Sequence, residues 1–127
     1  VVELGDGRQF VATDVPGLIQ GASSGAGLGI KFLRHIERTK VIIHLIDLSL
    51  PDVQNRYYSV RDELGKYNEK LLDKPEIIVG TKIDIPESKD NMEKLRELAG
   101  NVLFISSFTG EGIKDLLEGI WALLKKT

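Results

Sequence analysis

VIIHLIDLS, residues 41–49, is an almost unbroken apolar run that ends abruptly at an aspartate and a serine. A strand covered on both faces reads this way, because neither side of the pleat meets water. EIIVG (76–80) and VLFI (102–105) repeat the pattern downstream, and each is also followed by polar residues. Helices are predicted between these runs. Pro51-Asp52 opens a long one, in which Val53, Tyr57, Val60, Leu64, Tyr67 and Leu71 alternate steps of four and three. Met92, Leu95, Leu98 and Ala99 mark a shorter helix closed by Gly100. Ile113, Leu116, Leu117, Ile120, Trp121 and Leu124 line one face of a last helix. Strands alternating with helices of this length predict an α/β fold, a mainly parallel sheet with helices on both faces.

Upstream, VVEL and RQFVATD flank Gly5-Asp6-Gly7, a hairpin pattern whose second strand runs into Asp14-Val15-Pro16-Gly17. The stretch DVPGLIQGASSGAGLGIKFL (14–33) then carries five glycines, and a helix is expected over about 26 to 39 from Leu28, Phe32, Leu33 and Ile36. The 127 residues are 42% apolar and 28% charged, with a net charge of −2, which implies no strong pull toward DNA or an anionic membrane. There is no cysteine, which excludes disulfides and thiolate metal sites. No apolar run approaches the roughly 20 residues needed to span a bilayer.

In open α/β sheets the ligand lies beyond the carboxyl ends of the strands. Four groups occupy those ends: Asp14-Val15-Pro16-Gly17, Asp47-Leu48-Ser49, Thr81-Lys82-Ile83-Asp84 and Ser106-Ser107. Three of them suit one ligand. A carboxylate at Asp84 matches the two adjacent donors of guanine, N1–H and the exocyclic amine, whereas adenine has no matching pair. Lys82 can lay its methylene stem along the base while its head stays hydrated. Ser106 and Ser107 offer hydroxyl and backbone N–H groups toward the base, including its O6 acceptor. Asp14 can hold a Mg²⁺-bound water, and Gly17 exposes a backbone N–H suited to a terminal phosphate oxygen. Taken singly, D-x-P-G is an ordinary turn and Lys-x-Asp ordinary surface charge; their placement after buried strands is what gives them weight.

DVPGLIQGASSGAGLGIKFLRHIERTKVIIHLIDLS resembles the corresponding stretch of the Obg family of GTPases, and TKID with ISSFTGEG is similar to their base-recognition motifs. The resemblance covers nearly the whole chain. It implies a Ras-like P-loop NTPase G domain with Asp14 and Gly17 serving Mg²⁺ and the γ-phosphate, and with Thr81, Lys82, Asp84, Ser106 and Ser107 serving guanine. Gly17, Gly21, Gly25, Gly27 and Gly29 would then belong to a switch segment that orders around the γ-phosphate. It further implies a GTP- and GDP-binding, GTP-hydrolysing switch acting in large ribosomal subunit assembly in the cytoplasm, with Mg²⁺ as cofactor.

The sequence departs from that pattern in three places. Thr81 stands where the family's guanine motif begins with Asn, so an amide is lost. Leu18 follows D-x-x-G where a water-orienting Gln often stands, and leucine can neither donate nor accept. No G-x-x-x-x-G-K-[ST] occurs in the 127 residues. The expectation is therefore a partial G domain over residues 1–127, from the hairpin through the C-terminal helix, that begins after the phosphate loop and the central first strand. Such a chain alone is expected to be catalytically poor, and no catalytic residue is assigned. An alternative is a non-hydrolysing α/β interaction module with residual guanine recognition. A phosphoacceptor domain modified on Asp14 would need an acidic cluster that the sequence does not supply. His35, on the expected helix, and His44, inside a strand, read as ordinary hydrogen-bonded histidines, and Tyr57, Tyr67 and Trp121 as packing residues.

Overall fold

The computed structural model describes residues 2–12, 34 and 36–126. The three apolar runs are strands of one parallel sheet, β3 (Ile42–Asp47), β4 (Glu76–Thr81) and β5 (Val102–Phe104), in the order β3-β4-β5. Asp47 pairs with Thr81 and Gly80 with Phe104, so the polar residues after each run emerge along one edge. Alternate residues face opposite layers, as the two-residue period of a strand requires. His44, Ile46 and Ile78 face helices α1 (Val53–Tyr67) and α2 (Ser88–Ala99), where Val53, Tyr57 and Leu95 complete the core. Val79 and Ile105 face helix α3 (Ile113–Lys126), through Leu116 and Ile120. Helices therefore cover both faces, as expected.

The apolar periodicity of α1 runs on to Leu71, but the helix stops at Tyr67. Asn68 is extended, and its side chain accepts from the Lys70 N–H at 3.0 Å, which starts a 3₁₀ turn over Glu69–Asp73. Asparagine competes with the helix for backbone groups in this way. Leu71 still reaches the core beside Leu64 and Ile36. Ile36 lies in a helical turn, and its carbonyl, with those of Glu37 and Thr39, accepts from the Lys74 ammonium.

The hairpin is shorter than the sequence predicts. Strand β1 (Val2–Glu3) pairs with β2 (Gln9–Phe10), and residues 11 and 12 are already outside the ladder; the expected continuation to Asp14 lies outside the described residues. Among the described residues no ladder joins the hairpin to the parallel sheet. Side chains connect them instead. Phe10 packs against the buried cluster of Val79, Ile105, Leu116 and Ile120. Arg8 grips Glu118 of α3 through both terminal nitrogens, at 2.9 and 2.6 Å, and stacks over Trp121.

One polar network lies inside the α1 face. His44 Nδ1 donates to Glu76 at 3.3 Å, Arg61 pairs with the other carboxylate oxygen, and the His44 ring stacks on Tyr57. His44 is thus the bonded core histidine the sequence predicts. Burial pushes the Glu76 carboxyl up, but His44 and Arg61 outweigh it and hold it below the ordinary value of 4.5. A depressed folded-state value means stability that is present above the ordinary carboxylate range and is lost as pH falls through the folded value. Glu76→Gln is accordingly predicted to cost about 2 kcal/mol at pH 7 and to flatten the loss of stability between about pH 5 and pH 3. Urea denaturation of both proteins at those pH values checks it; parallel acid slopes would remove Glu76 from the acid sensitivity.

Candidate guanine site

The chain leaves β4 through Thr81-Lys82-Ile83-Asp84 and leaves β5 through Ile105-Ser106-Ser107. Two backbone bonds lock these exits side by side: Ile105 N–H donates to the Gly80 carbonyl at 2.9 Å, and Ile83 N–H to the Ile105 carbonyl at 3.3 Å. Gly80 is needed for this approach. A Cβ there would lie 2.6 Å from Leu48 and 2.9 Å from Phe104.

A cavity of about 600 Å³ opens between the exits, lined by Ile83, Asp84, Thr109, Gly110 and Glu111. Ser106, fully buried, donates its hydroxyl to Asp84 Oδ1 at 2.8 Å and accepts from the Thr109 N–H at 3.1 Å. One hydroxyl thus orients the carboxylate and ties it to the loop that forms the opposite wall. Asp84 remains exposed, with Oδ2 and the second lone pair of Oδ1 free of any bond from Ser106. A carboxylate held this way presents two acceptor directions to a ligand with two adjacent donors.

Of the other predicted site residues, Ser106, Thr81 and Lys82 make contacts within the protein. The Ser106 N–H donates to the Glu111 carbonyl at 3.0 Å, so both its N–H and its hydroxyl are engaged within the protein. Ser107 is exposed at the start of the loop. Thr81 turns its hydroxyl back across the sheet to the Ile46 carbonyl at 3.4 Å, knitting β4 to β3. Lys82 has a left-handed backbone (φ 63°), and its head is not simply hydrated: it pairs with Asp47 Oδ2 at 2.9 Å. Asp47 in turn accepts from the Ser49 N–H at 2.9 Å and hydroxyl at 2.6 Å. Burial pushes the Asp47 carboxyl up, and Ser49 with Lys82 outweighs it, so the group sits below the ordinary range. Asp14, Gly17, Leu18, the glycines at 21, 25, 27 and 29, and His35 lie outside the described residues.

Thr109, Gly110 and Glu111 fall within the ISSFTGEG stretch, but none has a side chain that by itself marks it as lining a cavity. Their signal is the pair of glycines around Glu111: Gly110 and Gly112 both have positive φ, at 84° and 78°.

Residues 1–82 match the family described as 50S ribosome-binding GTPase. The chain belongs to that family. Within it, the chain is similar to GTPase Obg of Leuconostoc mesenteroides, at 46% identity over 130 residues that include 93% of the chain. GTPase Obg of Moorella thermoacetica is 47% identical across 98% of the chain, and that of Bacillus mycoides 44% across its whole length. The chain spans about 30% of the length of these curated Obg relatives. The Obg resemblance seen in the sequence is thereby borne out. A crystal structure of a point variant of Aquifex aeolicus Era bound to GDP.AlF4- superposes with a TM-score of 0.53 at 18% identity, covering 84% of the chain and 36% of that protein. The fold is accordingly the Ras-like G-domain fold, and the β3-β4-β5 order with its polar exits is the part of that fold described above.

Proposed function

We propose that this chain carries the guanine-recognition half of an Obg-type GTPase, with Asp84 accepting from N1–H and the exocyclic amine of the base. The observation that carries the reading is the buried Ser106 hydroxyl holding the Asp84 carboxylate at the mouth of the cavity. A preset acceptor pair costs little to organise on binding and leaves an unpaired buried charge if adenine enters. Family membership supports the same reading, and extends it to GTP hydrolysis, a role in large ribosomal subunit assembly and action in the cytoplasm. Among the described residues no helix is long and apolar enough to cross a membrane.

Asp14 and Gly17 would serve Mg²⁺ and the terminal phosphate. Among the described residues no group of three His, Cys, Asp or Glu side chains could hold a metal. Mg²⁺ takes most of its oxygens from water and nucleotide phosphates and needs only one or two carboxylates from the protein. Bound there, Mg²⁺ would neutralise charge on the phosphates. The chain's own described residues do the base recognition. The alternative, an interaction module with residual guanine recognition, draws on Thr81, whose hydroxyl is spent on the Ile46 carbonyl rather than on a ligand.

Calorimetric titration of the chain with GDP, guanosine and ADP, each with Mg²⁺, separates these readings. The base-site reading predicts that GDP and guanosine bind and ADP does not. GDP binding far above guanosine adds phosphate contacts made by these residues. Equal, weak binding of both, with no ADP response, is the result of a base pocket without its phosphate site. Equal affinity for ADP and GDP, or no binding of either guanine ligand, would overturn the base site.

A further inference from the structure

Asp47-Leu48-Ser49 is the one strand exit that the nucleotide reading leaves without a task, yet it is built with care. Both Ser49 donors converge on Asp47 Oδ1, which leaves Oδ2 for the Lys82 ammonium. The strand register makes this reach possible, because Asp47 and Thr81 are paired neighbours and the Leu48 N–H donates to the Thr81 carbonyl at 3.2 Å. Lys82 is held at two further points. Its backbone is left-handed, a conformation shared only with Asp52 among the described non-glycine residues, and its carbonyl accepts from the Ser88 hydroxyl at 2.8 Å.

We infer that Asp47, braced by Ser49, is a positioning residue that fixes the Lys82 side chain across the end of β4 as one wall of the base site before the nucleotide arrives. Three considerations carry this. The sheet order places Asp47 on the side of β4 away from β5, so the ion pair anchors the Lys82 ammonium at the β4 exit, two residues before Asp84 in the chain. A lysine stem left free must surrender much of its rotamer freedom when a ligand packs on it, and an ion pair formed beforehand removes that cost. With Lys82 half exposed, the pair contributes little to folding, so stability alone does not account for so many converging donors.

This inference rests on the guanine-site reading, and the experiment separates the two. GDP affinity is measured by calorimetry for the wild type, Asp47→Asn, Ser49→Ala, Lys82→Met and Asp47→Asn/Lys82→Met, with Asp84→Asn alongside and urea midpoints for each. Asp47→Asn is expected to weaken GDP about 10-fold when Lys82 is present and less than about 2-fold when it is Met, the non-additivity of groups acting as a unit. Ser49→Ala, which leaves the ion pair's charges intact, is expected to weaken GDP about 3-fold and to report the same effect if Asp47→Asn folds poorly. Equal effects of Asp47→Asn in both backgrounds, or tighter binding, would overturn the positioning role while a large Asp84→Asn effect left the base site standing. A silent Asp84→Asn would overturn the base site, and this inference with it.

Discussion

Asp84→Asn is expected to weaken GDP about 100-fold and to let the xanthine nucleotide XDP overtake it, because two hydrogen bonds to a charged acceptor contribute about 1.5–3 kcal/mol each. The carboxylate accepts twice; the carboxamide accepts once and donates once. Guanine offers N1–H and an exocyclic amine, so the variant sets a donor against a donor. Xanthine replaces that amine by a carbonyl, and the mismatch becomes a match. Ser106 can still donate to the side-chain oxygen at position 84, so the variant keeps the bond that orients the residue. Competition between GDP and XDP for both proteins checks the exchange. An unchanged order of preference would remove Asp84 from the base site whatever the absolute affinities.

Gly112→Ala is the substitution expected to cost most in stability, about 3 kcal/mol or more, from overpacking together with left-handed strain. A Cβ at this position would lie 2.1 Å from the Phe104 carbonyl oxygen, a backbone atom that no rotamer change can move aside, and φ is +78°. Gly110 is the natural control. It also has positive φ, at +84°, but its Cβ would meet nothing within 4 Å, so Gly110→Ala is expected to cost about 1 kcal/mol, the strain alone. Urea denaturation of the two variants compares them directly. Equal losses would mean that the close approach of Gly112 to Phe104 contributes nothing. The functional consequence follows from the same contact. Gly112 draws the end of the loop onto β5, and that loop carries Ser106 and Thr109 to Asp84. An alanine that pushes the loop away is expected to loosen the carboxylate as well as the fold.

The Asp47 inference and the Glu76 prediction concern pairs of another kind. His44 and Glu76 come from β3 and β4 and meet under α1, where burial makes the loss of one partner costly. Lys82 and Asp47 also join β3 to β4, but at the wet end of the sheet, where the same charges organise a side chain more than they stabilise the fold. Position along the strands decides which of these a pair does.

Much of this architecture is legible in the residue order. Buried parallel strands announce themselves as short apolar runs, and the three runs found at 41–47, 76–80 and 102–105 are the three strands of the sheet, each within a residue or two of its observed ends. Helical periodicity is likewise local, and α3 follows from it over its whole length. The strand-end rule then picks out Asp84 and its neighbours from residue order alone. What the sequence could not determine is which polar groups satisfy one another. Ser106 reaches Asp84 across 22 positions and Lys82 reaches Asp47 across 35, and nothing local in either segment encodes the partner. Thr81 turns its hydroxyl to Ile46, the helix breaks at Asn68 against its own periodicity, and the hairpin docks on α3 through Arg8 and Phe10 with no ladder to the parallel sheet among the described residues. Periodicity is a property of consecutive residues and survives in the bare sequence. Pairing depends on strand register and on how closely loops approach, so only the tertiary structure decides it.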